Sequence, residues 1–315
     1  MSRTFRSNVA TDCPGVSVVI GSALWSFWRR GRTAERTGYI VGAVLFVSGL
    51  MHLGVLAIGG GSWDGPVSLR KAATFGLSFG LTLLTIVWVA SFLRLSDRLR
   101  SILLGAFTVA CAVETLLVSL QAWRGVPSHF NLETTFDGLV ARTLAGGGLV
   151  LVAVIATLLF VSFSRQPALP VSLRIAIRIG FVTLFMSLVV GALMIVRGMR
   201  LVFAGDPQAA YATGGALKPT HAATMHAILV LPLLAWLLSF TDWSERRRVG
   251  AVLLGAAGYA LLAGLVALEN VAGVPSSNTA VKTLMVLGFV ELLAVGVVAV
   301  RSVARASHAT GIQHG

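Results

Sequence analysis

Apolar residues gather into eight long runs, at roughly 38–60, 72–93, 101–123, 138–163, 175–196, 219–240, 249–268 and 280–300, with short polar connections between them. A helix needs about 20 apolar residues to cross the hydrocarbon core of a bilayer, and each run is close to or beyond that length. None alternates as a membrane β-barrel strand does, and each is too long for a sheet strand. Backbone polar groups in lipid must be satisfied within their own segment, so helices are the remaining option. The pattern predicts an all-α transmembrane protein of eight helices. A further apolar stretch, 14–28, is shorter and ends in Arg-Arg-Gly-Arg. It lacks a small-residue cleavage site and predicts an interfacial or poorly ordered segment rather than a signal peptide or a ninth span.

Sliding the sequence by 148 positions superposes its halves: across 69–131 no gap is needed, and 17 of 63 positions are identical. Trp88 meets Trp236, Ser91-Phe92 meets Ser239-Phe240, and Ser96, Arg98 and Arg100 meet Ser244, Arg246 and Arg248. The loop Gly125-Val126-Pro127-Ser128 meets Gly273-Val274-Pro275-Ser276. Four crossings return the chain to the side it left, so the copies are expected to share orientation about an axis along the membrane normal. The expected organisation is an N-terminal segment 1–37, a first four-helix repeat 38–163, a linker 164–174, a second four-helix repeat 175–303 and a tail 304–315. Gly76-x-x-x-Gly80 and Gly146-Gly147-Gly148 suggest close backbone approach between helices, or ordinary membrane-helix composition.

Composition agrees: 56% of the 315 residues are hydrophobic and 12% charged, where soluble domains carry about 25% charged residues. The net charge of +13 raises the question of nucleic acid, and its placement argues against it. Seventeen of the 25 basic residues lie in alternate connections: before run 1, between runs 2 and 3, 4 and 5, 6 and 7, and after run 8. Basic loops stay in the cytoplasm. The expected topology is therefore N-in/C-in in the plasma membrane, with anionic lipid attracted to the basic connections. Cys13 and Cys111 are placed too far apart to imply a disulfide framework. Oligomeric state is not readable from the sequence.

Candidate chemistry concentrates in the outer half of the expected bundle. His52 lies about 12 Å from the outer end of its helix at 1.5 Å per residue, and His226 is at a similar depth. His221 and His129 lie nearer the surface. Glu114 is midway along its helix, Asn131 closes the first GVPS loop, and Arg142 and Arg197 stand at outer helix ends. Ionisable groups in the membrane are costly and are functional candidates by default. For each, packing is the bland alternative, and the arginines can simply snorkel to headgroups. His221 and His226 are five residues apart and do not share a helix face, unlike the metal pair of H-E-x-x-H; no confident metal site emerges. Pro232 predicts a kink, and the Gly/Ala-rich insertion 203–218 a loop over the outer mouth. No P-loop, CxxC, CxxCH or GxSxG is present.

The string Trp123-Arg124-Gly125-Val126-Pro127-Ser128-His129-Phe130-Asn131, with Leu217-Lys218-Pro219 and Thr224-Met225-His226 through Pro232 and Trp236, resembles a family of uncharacterised actinobacterial multi-pass integral membrane proteins. The resemblance covers about residues 38–275 and implies no activity. In architecture alone, two parallel four-helix units look like haem A synthase, but that family's histidine on two helices of each half is not present here. Three functions compete. A haem- or metal-binding protein would use His52 and His226 as axial ligands, with haem b as the possible cofactor, His221 nearby and arginines on propionates. A transporter of a small, anionic solute would use Glu114, His129, Asn131, Arg142 and Arg197. A non-catalytic assembly or sensor component would use its polar residues for packing. An intramembrane enzyme with a His/Glu acid–base pair is a further option.

Overall fold

The computed structural model describes residues 16–272, 289, 290 and 292–303, and all its regular structure is helical. In chain order the helices are α1 (Val16–Arg30), α2 (Thr33–Gly59), α3 (Leu69–Phe92), α4 (Asp97–Trp123), α5 (Thr135–Phe163), α6 (Val171–Phe203), α7 (Pro207–Met225), α8 (Ala227–Leu238), α9 (Glu245–Ala272) and α10 (Leu292–Val303). Among the described residues seven segments are long and apolar enough to cross a membrane: α2 to α6, Leu217–Leu238 across α7 and α8, and Glu245–Asn270 of α9. The protein is thus a helical, multi-pass membrane protein by the length and composition of these helices. The eighth apolar run, 280–300, lies partly outside the described residues, and the second GVPS loop and Glu291 lie wholly outside them; α10, in its described part, is a shorter apolar helix. The arginine-rich connections mark one end of the bundle, the basic end.

Four elements, α3, α4, α5 and α7, start where the sequence supplies an acceptor for the free amides of a first turn. The Ser68, Ser96 and Thr134 side chains accept from the Arg70, Leu99 and Asp137 amides at 3.2, 3.3 and 3.0 Å. Asp206 does the same for Ala209 at 2.9 Å, with Pro207 in the first turn. That cap corrects the expectation of a loop over 203–218: from 207 onward the segment is helix, because a capped, alanine-rich stretch with an N-terminal proline favours the helical backbone.

The helix pair α2–α3 packs backbone on backbone. A Cβ built on Gly76 would lie 2.6 Å from the Gly49 Cα, and one on Gly80 would lie 2.5 Å from the Phe46 amide nitrogen. The small-xxx-small signal read at 76–80 is therefore a real contact seam. Of Gly146–Gly148, only Gly147 has a neighbour within 4 Å beyond its own helix and chain neighbours.

The core is richest towards the basic end, where an aromatic cluster joins the two halves. The Trp88 and Trp236 rings meet edge-to-face, with centroids 5.9 Å apart at 86°. Each also meets its own helix neighbour, Trp88–Phe92 at 5.3 Å and Trp236–Phe240 at 4.9 Å. Phe27 of α1 wedges between Trp88, Phe92 and Trp236 at 5.5–6.3 Å. The stretch 14–28 is thus largely helical and docked: α1 has 15 residues, about 22 Å at 1.5 Å per residue, too short to span, and its Ile20, Ala23 and Phe27 pack on the core.

Positions 148 residues apart repeat one another's contacts here. Arg100 donates to the Leu93 carbonyl at 2.9 Å and Arg248 to the Thr241 carbonyl at 2.6 Å. Ser91 and Ser239 donate to the Trp88 and Trp236 carbonyls, each at 2.6 Å. Ser96 and Ser244 accept from the Leu99 and Arg247 amides at 3.3 and 3.4 Å. In the first half only, Arg100 also pairs with buried Glu35 at 3.0 Å.

The segment that carries Pro232 is broken at His226, six residues earlier. There the Tyr259 hydroxyl of α9 donates to the Ala223 carbonyl at 2.5 Å. That carbonyl would otherwise serve the Ala227 amide, and a side chain inserted into the ladder is a standard cause of helix interruption.

Candidate functional site

The loop 124–134 is fastened before it carries anything. The Asp137 carboxylate, at the start of α5, accepts from Gln121 at 2.8 Å, Arg124 at 2.6 Å and the Thr134 hydroxyl at 2.7 Å. Arg124 also donates to the Gln121 side-chain oxygen and lies over the Phe136 ring at 4.7 Å. Between these anchors the chain turns through Gly125 (φ 68°) and Phe130 (φ 66°). A left-handed backbone at a phenylalanine is strained and persists only where the surroundings hold it. Here Gly198 of α6 holds it: the Phe130 ring occupies the space a Cβ would take. The loop of the first half is thereby clamped onto the second.

Clamping brings His129 and Asn131 inward. Asn131 is fully buried; its carbonyl oxygen accepts from the Glu133 amide at 3.1 Å, and its amide nitrogen has no partner among the described residues. His129 packs on the Phe75 ring at 5.8 Å, and its Nδ1 is 3.0 Å from the Ser128 hydroxyl. Burial, then the positive charges of Lys71 and Lys218, hold the His129 imidazole well below its ordinary pKa of 6.5. It is neutral at physiological pH.

Lys71 and Lys218, one from each half, are within electrostatic reach of His129, and Arg70 is within reach of both lysines. Lys71, in the first turn of α3, senses the charges of Lys218, Arg70 and Glu114, and Lys218 of α7 senses Arg70. Among the described residues none of the three is in an ion pair within 4 Å; Arg70 lies over the Trp63 ring at 5.8 Å. Arg70 and Lys218 are themselves 148 positions apart. Glu114, 4% exposed, is the carboxylate of the group. Its Oε1 would be 2.6 Å from a Cβ at position 147, so Gly147 makes the room it occupies. Tyr211 of α7 adds a buried hydroxyl without a partner among the described residues; burial, then the charges of Glu133 and Asp137, push its phenol upward. The arrangement is a positively charged cluster with neutral donors, chemically suited to an anion.

Other candidates lie elsewhere. His52 spends both ring nitrogens: Nδ1 donates to the Ser48 carbonyl at 2.8 Å, and Nε2 accepts from the Trp123 indole at 3.0 Å. An axial-ligand role would require breaking the second bond. His221 donates from Nδ1 to the Ser187 carbonyl at 2.7 Å and packs on Gly191 of α6. His226 stands at the helix break, within electrostatic reach of His221. Arg142 and Arg197 are exposed on the bundle surface and stand outside the cluster. Among the described residues no group of three or more His, Cys, Asp or Glu side chains is arranged to hold a metal ion.

Sequence reasoning named Glu114, His129 and Asn131 but not Lys71, Lys218 or Arg70. The available signal was the repeat itself, since Arg70 and Lys218 are the basic residues near the opposite end that the 148-residue offset superposes. Comparison with protein-family models, curated proteins and solved structures returns no match.

Proposed function

We propose that the chain is a small-solute transporter of the plasma membrane, built as two parallel four-helix repeats with the basic end and both termini in the cytoplasm. Its outward-facing site would take a small anion between Arg70, Lys71 and Lys218. His129 and Asn131 would supply neutral walls and a free amide donor, and Glu114 a local countercharge to Lys71. The basic connections would rest on anionic lipid.

The observation that carries this reading is the mutual proximity of Lys71, Arg70 and Lys218, drawn from both halves and without an ion pair among the described residues, with buried Glu114 within electrostatic reach of Lys71. The paired contacts at the 148-residue offset support duplication, and the biased arginines support the orientation. The interrupted helix α7–α8 fits the discontinuous helices that line solute sites in transporters. The haem reading draws no comparable support, because His52 is committed to Ser48 and Trp123.

The test is a thermal-shift titration of the purified chain with inorganic phosphate, sulfate, acetate and succinate. A ligand of the folded state raises Tm saturably. At least one probe is expected to do so, with Lys71→Gln and Lys218→Gln each weakening it about tenfold, ~1.4 kcal/mol, and Arg197→Gln leaving it unchanged. Absence of a saturable shift with any probe at millimolar concentration contradicts the site.

A further inference from the structure

At the basic end, between α1 and the bundle it docks on, lies a cavity of about 200 Å³, walled by Leu24, Phe27, Trp28, Tyr39, Leu84 and Trp88. The walls are mostly hydrocarbon and aromatic ring, and the polar atoms of the lining side chains are those of Tyr39, Trp28 and Trp88. The Trp88 indole N–H is buried and has no acceptor among the described residues, although Trp88 is only 8% exposed. Buried donors in native proteins are almost always paired, and an unpaired one calls for a missing partner. Water is a poor candidate, because it needs 2–4 polar partners and these walls offer few.

Depth suggests what fits. Trp88 is four residues and Leu84 eight residues from Phe92, where α3 ends, roughly 6 and 12 Å below the basic end at 1.5 Å per residue. In a bilayer those levels correspond to the glycerol esters and the upper acyl carbons. Above them, α1 ends in Arg29 and Arg30. Both are exposed, and neither is in an ion pair among the described residues. Arg36 fixes this end of α1 by donating to the Trp28 and Arg29 carbonyls at 3.2 and 2.8 Å, so the two arginines are held next to the cavity wall at Trp28. Free cations at phosphate level, an unpaired donor at ester level and an apolar slot at chain level form one sequence of chemistry.

We infer that this cavity binds one acyl chain of an anionic phospholipid, its phosphate at Arg29 and Arg30 and an ester carbonyl accepting from the Trp88 indole. The site is at the far end of the molecule from the anion cluster and does not depend on it. Leu24, 51% exposed, is the wall most open to the bilayer and is the natural entry.

The test uses the full chain purified in mild detergent and reconstituted in phosphatidylcholine vesicles containing phosphatidylglycerol, with native mass spectrometry reading the retained lipid. One phosphatidylglycerol per chain is expected in preference to phosphatidylcholine. Leu24→Trp, which fills the slot, should abolish retention, and Trp88→Phe should weaken it several-fold. The Arg29→Gln/Arg30→Gln double variant should keep a bound lipid but lose the preference for phosphatidylglycerol. Phosphatidylglycerol with brominated chains gives a second readout in the unaltered protein, a saturable quenching component that Trp88→Phe reduces and Leu24→Trp removes. Equal retention of both lipids by the wild type, retention unaffected by Leu24→Trp and Trp88→Phe, or quenching without a saturable component overturns the assignment.

Discussion

At the basic end, Arg100 closes the α3–α4 connection on the Leu93 carbonyl, and Arg248 closes the α8–α9 connection on the Thr241 carbonyl. Towards the opposite end the same 148-residue offset sets Glu114 against Leu262, Cys111 against Tyr259, Ala73 against His221 and Ser78 against His226. One end keeps its contacts in both halves and the other has changed its chemistry. The Cys111/Tyr259 pair shows how one side chain does this. The tyrosine hydroxyl reaches Ala223 and interrupts α7–α8, whereas Cys111 is buried in the core and α3 runs unbroken. The shared contacts hold the connections between helices; the differing positions lie towards the end where we propose that an anion binds.

Four sets of substitutions probe the contrast between the two ends. The largest effect is expected from Arg100→Met, which strands the Glu35 carboxylate, 5% exposed in its pair, and should cost about 3–5 kcal/mol. Arg248→Met removes a bond to the Thr241 carbonyl and a 3.7 Å contact with the partly exposed Glu245, and should cost ~1 kcal/mol. Thermal unfolding of both in one detergent measures the difference, and equal losses would mean that the Glu35 pair adds nothing to the first half. Next is Gly76→Ala, which drives a Cβ into Gly49 and should cost about 1–3 kcal/mol by overpacking. Gly191→Ala, whose Cβ meets only the edge of the His221 ring at 3.3 Å, should cost less in the same assay.

The third concerns pH. The folded state holds His129 well below 6.5 by burial and by Lys71 and Lys218, so it refuses a proton that the unfolded chain accepts. This contribution to stability is complete above the unfolded pKa and is lost as pH falls below it, by at most ~1.4 kcal/mol per pH unit. His129→Gln should flatten the decline in Tm between roughly pH 7 and pH 5; an unchanged profile would remove His129 from the charged cluster. The smallest effect is expected of Tyr259→Phe, which loses one hydrogen bond, ~1 kcal/mol or less. It should slow amide exchange at Ala227 as the ladder closes, and unaltered exchange would assign the break to another cause.

Much of the helical architecture was legible because apolar run length is a local property of the chain. The runs at 72–93 and 101–123 became α3 and α4 with little adjustment, and Gly76-x-x-x-Gly80 became a packed seam. Two segments were not. The helix over 207–218 was hidden by its glycines and alanines, which read as loop until Asp206 is seen to cap it. The docking of α1 depends on Phe27 finding an aromatic cluster built from two distant helices, a contact that no window of sequence contains. The site divided in the same way. Glu114, His129 and Asn131 stood out as polar groups at depth. Lys71 and Lys218 did not, because lysines near helix ends ordinarily snorkel and only packing brings them to one cluster. His52 was read from depth alone, and depth does not show that Trp123 already bonds it.

A cluster shared by both halves is probed best by a double-mutant cycle on anion binding with Lys71→Gln, Lys218→Gln and the two combined. If both lysines hold one anion, the combined loss should depart from the sum of the single losses by more than about 0.5 kcal/mol. Strict additivity, or single variants that bind as the wild type does, would refute a shared cluster.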